Sequence, residues 1–116
     1  MYTLLFKENK EIFQICKEIK KGTARKTDHP IFKNLKVGDY IKIMIGFKEV
    51  ATVKVTDIKY NINMKNEKLE TFKKLGYKTK KEYLNEYKEK EDQKQNIIYF
   101  KLIKYDLNKY IESYKM

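Results

Sequence analysis

The sequence contains only one cysteine, one histidine, one arginine and one proline. Because Cys16 has no partner cysteine, a disulfide-stabilised secreted domain is excluded, and His29 has no cysteine or acidic pair at the spacing of a metal site. The apolar start at residues 2–6 is shorter than a signal-peptide core, and no stretch approaches the roughly 18 apolar residues of a membrane span. These absences predict a soluble, cytoplasmic protein that needs no metal or cofactor and no membrane.

Acidic residues are also scarce relative to basic ones, 16 against 27, so the formal net charge is +11. Such an excess favours partners that carry phosphates, as nucleic acids, nucleotides and lipid headgroups do. Because Arg25 is the only arginine, recognition of base edges by arginine forks cannot be the main binding mode. Residues 20–42 carry seven basic and two acidic side chains, whereas the lysine-rich segment 78–92 carries five of each. We therefore expect the binding surface near residues 20–42.

The hydrophobic pattern predicts one α+β domain over residues 1–116, because this length suffices for a single hydrophobic core. Alternating or β-prone apolar residues predict strands over 2–6, 40–45, 51–56 and 97–105. Helical spacing predicts helices over 9–21, closed by Gly22, over 69–75, closed by Gly76, and from Thr79 onward. Residues 23–30 and the Asn-rich stretch from Tyr60 to Asn66 are predicted loops, and 107–114 a tail that pairs or packs. The sum is a strongly curved sheet or small barrel with three helices.

Two local signals refine this outline. Thr79 and Glu82 have the spacing of a capping box, which predicts a helix start with Tyr83, Leu84 and Tyr87 facing inward. Cys16 falls on the apolar stripe of the first helix, so we expect it in the core rather than as a reactive thiol.

The segment around Gly22 concentrates cations and hydroxyls that suit phosphate oxygens, with a glycine that lets a backbone come close. An alternative is a solvated helix end whose lysines face the helix dipole, with His29 acting as a loop hydrogen-bonder. Exposed tyrosines beside lysines suit base stacking, although tyrosine is also a good strand former. The candidate nucleic-acid-binding residues are Lys20, Lys21, Thr23, Arg25, Lys26, Thr27, His29, Tyr40, Lys42 and Tyr60.

Several blocks occur in a characteristic order: a helix ending at Gly22, the Thr/Lys-rich segment, the turn LKVGDYI at 35–41, the strand ATVKV at 51–55, and GYKTKKEYL at 76–84. In this order they closely resemble the ASCH domain family over roughly residues 2–105. The resemblance implies a PUA-like fold, a pseudo-barrel with flanking helices and a cleft beside the barrel. It also implies RNA binding, with hydrolysis of modified cytidine in some members and ribonuclease activity linked to others.

The resemblance carries a second functional hypothesis. The family's loop places a lysine two residues after a glycine and an arginine five residues further on, where this chain has Ala24 and His29. In the amidohydrolase branch the chemistry belongs to a lysine, a threonine three residues later and a distant glutamate. Counted from Gly22, Thr27 is in register, and the further candidate catalytic residues are Lys26, Lys21 and Glu70.

Three interpretations stay open. The first is an RNA-binding domain, with single-stranded DNA or a nucleoside as other possible ligands. The second is a small hydrolase of a modified cytidine nucleoside, or a ribonuclease. The third is a protein-interaction module whose basic surface reflects coding bias.

Overall fold

The computed structural model describes residues 2–86 and 94–106, which form a curled, half-barrel sheet with three helices. The strands are β1 Tyr2–Phe6, β2 Gly22–Lys26, β3 Tyr40–Ile45, β4 Lys48–Asn63 and β5 Lys94–Tyr105. The helices are α1 Asn9–Cys16, α2 Leu69–Lys74 and α3 Lys80–Glu86, with short 3-10 helices at Pro30–Lys33 and Met64–Asn66. The predicted α+β fold, a strongly curved sheet or small barrel with three helices, is confirmed.

The sheet has the order β1-β3-β4-β5-β2, so β1 and β2 are its two edge strands. β1 runs parallel to β3, and the remaining neighbours are antiparallel. Opposite residues of β3 and β4, such as Ile41 with Val53 and Ile43 with Ala51, point their side chains to the same buried face. The alternation of apolar and polar residues correctly predicted this hairpin.

Two hydrophobic clusters hold the sheet to its helices. The larger packs α1 against β1, β3, β4 and β5 and includes the buried Cys16, as predicted. The smaller packs α2 and α3 against β5, and it consists of Met64, Phe72, Leu75, Tyr83 and Ile97, with Ala24 of β2 against it. Because β2 contributes to the smaller cluster, helices α2 and α3 lie beside this edge strand.

The predicted path of residues 17–26 is wrong, whereas residues 27–29 form the predicted loop. Helix α1 ends at Cys16, and Glu18, at φ +58°, turns the chain so that the N–H groups of Ile19 and Lys20 donate to the Gln14 carbonyl. Gly22 therefore opens strand β2 instead of closing the helix, and residues 22–26 pair with β5 instead of forming a loop. A Cβ at Gly22 would lie 2.9 Å from the Ile98 carbonyl oxygen, so close strand pairing requires glycine here.

The Asn-rich stretch after Tyr60 is strand as far as Asn63 and a 3-10 helix over Met64–Asn66, rather than a loop. β4 continues to Asn63 through irregularities in its pairing with β5. Asn61, at φ +54°, lies at one of these irregularities, and its N–H donates to the Asn96 side-chain oxygen at 2.9 Å. The long strand thus depends on a side-chain hydrogen bond that replaces regular pairing.

The helix signals on the C-terminal side are confirmed. Gly76 has φ +96° after α2, and the Thr79 hydroxyl accepts from the Glu82 N–H at 3.1 Å. The Glu82 carboxylate accepts from the Lys78 N–H, one residue earlier than a standard capping box. Tyr83 is buried, while the predictions for Tyr87 and for residues 107–114 lie outside the described residues. Within the described part of the chain, every helix is too short or too polar to cross a membrane.

Candidate ligand cavity at strand β2

A cavity of about 440 Å³ lies against the edge strand β2. Four consecutive β2 residues line it, so the cavity follows the open edge of the sheet. Its complete lining is Glu11, Lys20, Thr23, Ala24, Arg25, Lys26, Asp28, His29, Pro30, Leu75, Tyr77, Tyr83 and Gln95. Acidic and basic side chains both contribute, so the cavity is polar and mixed in charge rather than uniformly basic.

The backbone of β2 also faces the cavity. The Lys21 carbonyl accepts from the Phe100 N–H at 2.9 Å, so the alternation of the antiparallel ladder turns the backbone groups of Ala24 and Lys26 away from β5. The Lys26 carbonyl accepts from the His29 N–H at 3.0 Å. Ala24 therefore directs one backbone donor and one backbone acceptor toward the open edge.

Lys20 is the most deeply buried charged group of the lining, with 4% of its surface exposed. Its Nζ donates to the Leu75 carbonyl oxygen at 2.6 Å and lies 5.9 Å from the centre of the Tyr77 ring. Burial lowers the pKa of Lys20 to about 8, although the nearby Glu11 carboxylate acts in the opposite direction. Burial raises the pKa of Glu11, and Lys20 opposes that shift. The cavity lining thus contains a lysine and a glutamate that are both easier to neutralise than in water.

Arg25 spans the open side of the half-barrel. Its Nη2 donates to the Leu5 carbonyl oxygen of β1 at 3.2 Å, and its guanidinium carbon lies 4.7 Å from the centre of the Phe6 ring. These contacts join the two edge strands, which do not pair with each other along the described residues. Arg25 therefore shapes the cavity wall in addition to supplying positive charge.

Lys26, Asp28 and His29 lie nearer to solvent than Lys20 does. Lys26 and Asp28 are exposed, while His29 is partly buried. The His29 Nδ1 accepts from the Ile31 N–H at 3.1 Å and caps the first 3-10 helix, which leaves Nε2 to carry the proton of the neutral ring. Burial and the nearby Arg25 lower the pKa of His29. His29 thus has the loop hydrogen bond considered from the sequence and also lines the cavity.

The other candidate residues lie elsewhere. Tyr40 has the Lys54 Nζ 5.6 Å from its ring centre, Lys42 is 3.6 Å from the Glu49 carboxylate, and the Tyr60 ring centre is 6.3 Å from that of Phe32. All three lie outside the cavity lining.

Of the four residues considered for catalysis from the sequence, the structure brings only Lys26 into the cavity. Glu70 lies on α2, 3.8 Å from Lys74, while Thr27 is exposed and Lys21 lies by Phe100 and Lys101. The structure instead places another lysine and threonine, three residues apart, in the cavity: Lys20 and Thr23, both buried. Counting forward from Gly22 missed this pair because Lys20 precedes Gly22, which opens strand β2 instead of preceding a loop.

The sequence reasoning also missed other lining residues, among them Glu11, Tyr77 and Gln95. Glu11 lies in a segment of zero net charge, and Tyr77 lies in the helix-start motif. Gln95 precedes the apolar run of β5 and carries no signal of its own. Chain folding brings them to β2 from distant positions, so no local pattern could have grouped them.

No family model and no curated protein matches the sequence. Solved structures do match it. A hypothetical protein designated PH0355 is similar with a TM-score of 0.67 and 22% identity, covering 88% of this chain and 98% of its own. An ASCH domain from Lactobacillus crispatus JV V101 gives a TM-score of 0.70 and 10% identity, covering 87% of this chain and 79% of its own.

A third structure, protein EF3133 from Enterococcus faecalis V583, assigned to family model DUF984, gives a TM-score of 0.68 and 13% identity over 92% of this chain and 83% of its own. The class is thus a PUA-like half-barrel with flanking helices. More specifically, the fold is of the ASCH type, as the LKVGDYI and GYKTKKEYL motifs predicted.

Proposed function

We propose that this protein binds RNA and that the cavity at β2 holds one unpaired nucleotide. The observation that carries the proposal is the composition of the lining, which combines cations, aromatic rings and buried polar groups in one concave site. Lys26 is exposed on the lining and suits a phosphate as a point charge. Tyr77 and Tyr83, whose ring centres lie 5.2 Å apart, supply the aromatic surface that a base requires.

A single-stranded nucleotide suits this site better than a duplex. A cavity of about 440 Å³ accommodates an extruded base but not a helix. Sequence-specific RNA recognition uses bases that are splayed out of loops and single strands, because their hydrogen-bonding edges are then accessible. The backbone N–H and C=O of Ala24, which point away from β5, offer the hydrogen-bonding edge of a base one donor and one acceptor.

The test is a titration of labelled single-stranded RNA, an RNA hairpin with a loop, and a fully paired RNA duplex, followed by fluorescence anisotropy at several salt concentrations. We expect the first two to bind more tightly than the duplex, with an affinity that falls as salt rises because bound counterions are released. No binding at micromolar protein, or binding without salt dependence, would contradict the proposal.

A second candidate function is hydrolysis of an acyl group on a nucleoside amine. Lys20 and Thr23 in one cavity favour it, because they have the three-residue spacing of the amidohydrolase branch. With a pKa of about 8, a fraction of Lys20 is neutral near neutral pH and can accept the Thr23 hydroxyl proton. The Thr23 oxygen would then bond to the acyl carbon, the C–N bond would break, and Lys20 would return the proton to the departing amine. Water would finally release the acyl group from Thr23.

Incubation with N4-acetylcytidine tests this second candidate. Turnover is expected to disappear in Thr23→Ala and to persist in the matched control Thr27→Ala, since Thr27 is exposed outside the lining. Absence of turnover in the unmodified protein, or equal turnover in both variants, would remove these residues from any such mechanism.

A further inference from the structure

Two neighbouring amide side chains of β5 are buried in contrasting situations. Asn96, 3% exposed, accepts the Asn61 N–H through its side-chain oxygen at 2.9 Å. Gln95 is 5% exposed, yet its side chain makes no hydrogen bond to any residue within 2–86 or 94–106. A buried amide that lacks a partner is strongly unfavourable, so each such group requires an explanation. Asn96 has a structural role, and Gln95 has none within the described residues.

The position of Gln95 supplies the explanation. It lies opposite Lys26 on one side and Ile62 on the other, and it lines the β2 cavity. Thr23, 2% exposed, lines the same cavity, and its hydroxyl also lacks a hydrogen bond within the described ranges. Two buried polar side chains with unused hydrogen-bonding capacity therefore belong to one cavity. A ligand in this cavity would supply the hydrogen-bonding partners that both side chains lack.

We infer that Gln95 is a specificity-determining residue that reads the hydrogen-bonding edge of a nucleobase, an inference that rests on the proposed RNA-binding function. A primary amide presents one acceptor oxygen beside a donor nitrogen, which matches an adjacent donor and acceptor on the base. The lysine cations of the cavity cannot make this distinction, because an ammonium group only donates. Phosphate contacts thus position the nucleotide, while Gln95 discriminates among bases.

The test compares the binding of the four nucleoside 5′-monophosphates with that of ribose 5-phosphate, by calorimetry or by NMR titration. Ribose 5-phosphate reports the sugar and phosphate contacts without a base. We expect the unmodified protein to bind at least one monophosphate about tenfold more tightly than ribose 5-phosphate, as one or two well-placed hydrogen bonds allow. In Gln95→Leu this preference should disappear while ribose 5-phosphate binds as before.

Gln95→Glu provides a sharper variant of similar shape. Its carboxylate only accepts hydrogen bonds, so the ranking should shift toward guanine, whose N1–H and exocyclic amine are neighbouring donors. Asn96→Leu is the matched control: it removes the acceptor of the Asn61 N–H and should lower the melting temperature without changing the ranking of bases.

The outcomes separate the two proposals. If the unmodified protein binds monophosphates but Gln95→Leu and Gln95→Glu keep its base ranking, Gln95 does not read the base, and RNA binding stands. If Gln95→Leu loses ribose 5-phosphate equally, the residue is merely structural and the inference is wrong. If the unmodified protein binds neither the monophosphates nor RNA, both the inference and the proposed function are overturned.

Discussion

The ion-paired surface lysines of this protein and the buried Lys20 differ in their surroundings. Lys10, Lys42, Lys59 and Lys74 each lie 3.4–3.8 Å from a carboxylate, and their side chains are 39–63% exposed. Lys20 is 4% exposed, and its Nζ donates to a backbone carbonyl. The surface lysines remain largely hydrated, so their ion pairs contribute little net free energy to stability. Lys20 is desolvated, and its charged form is therefore destabilised. The difference teaches that burial, not lysine density, marks the candidate site.

The largest expected effect is on RNA binding. It should appear when two lysines of the cavity lining are removed, and not when two ion-paired surface lysines are removed. The double variant Lys20→Met, Lys26→Ala should bind single-stranded RNA about 100-fold more weakly, because two charge-assisted contacts contribute about 3 kcal/mol together. The double variant Lys59→Ala, Lys74→Ala loses the same formal charge but should bind within about twofold of the unmodified protein. Fluorescence anisotropy at a fixed salt concentration measures both. Equal losses would show that only net charge matters.

The next largest effect concerns the pH dependence of stability, which should distinguish the buried Lys20 from the surface lysines. Since the pKa of Lys20 is about 8 in the folded protein against 10.5 ordinarily, the unfolded chain binds more protons between those values. The free energy of unfolding attributable to Lys20 should therefore rise with pH through this window, by about 2 kcal/mol between pH 7 and 9.5. Urea unfolding of the unmodified protein and of Lys20→Met at both pH values measures this difference. A parallel pH dependence in both proteins would mean that Lys20 is not desolvated.

A smaller effect should follow from Glu11→Gln. The Glu11 carboxylate raises the pKa of Lys20 against the effect of burial, so its removal should lower that pKa further. An NMR titration of the Lys20 side chain measures the shift. Glu70→Gln is the matched control, because Glu70 pairs with Lys74 on α2 and should leave the pKa of Lys20 in place. An unchanged or higher pKa of Lys20 in Glu11→Gln would show that the Glu11 carboxylate does not stabilise the charged form of Lys20.

The smallest effect concerns the surface pairs themselves. Lys59→Ala removes a partner 3.4 Å from the Asp57 carboxylate, yet both side chains are at least half exposed. The free energy of unfolding should change by less than about 0.5 kcal/mol, and raising the salt concentration should reduce even that. Urea unfolding at low and high salt checks it. A loss above about 1 kcal/mol would place this pair among the structurally important contacts.

Much of the fold could be predicted because local patterns and tertiary packing agree. The alternation across β3 and β4 and the helix signals around Gly76 and Thr79 are examples. Strand β2 could not be predicted, because GTARK has little β propensity and becomes a strand only by pairing with β5. The same limit affected the long end of β4, where Asn61 depends on the side chain of Asn96.

The residues of the candidate site could likewise be predicted only in part. The excess charge of residues 20–42 drew attention to the chain segment that contains β2, and five of the candidate residues line the cavity: Lys20, Thr23, Arg25, Lys26 and His29. Glu11, Tyr77 and Gln95 could not be grouped with them, since they come from α1, from the approach to α3 and from β5.

The sequence by itself determined an α+β chain of strongly basic character, the ASCH-type order of its motifs and the segment that carries its excess charge. Only the tertiary structure decided that Gly22 begins an edge strand, that Arg25 joins β2 to β1, and that Lys20 and Gln95 are buried around one cavity. The physical reason is that local patterns act between near neighbours in the chain. Desolvation depends on everything that surrounds a group in space, and it distinguishes Lys20 from the surface lysines.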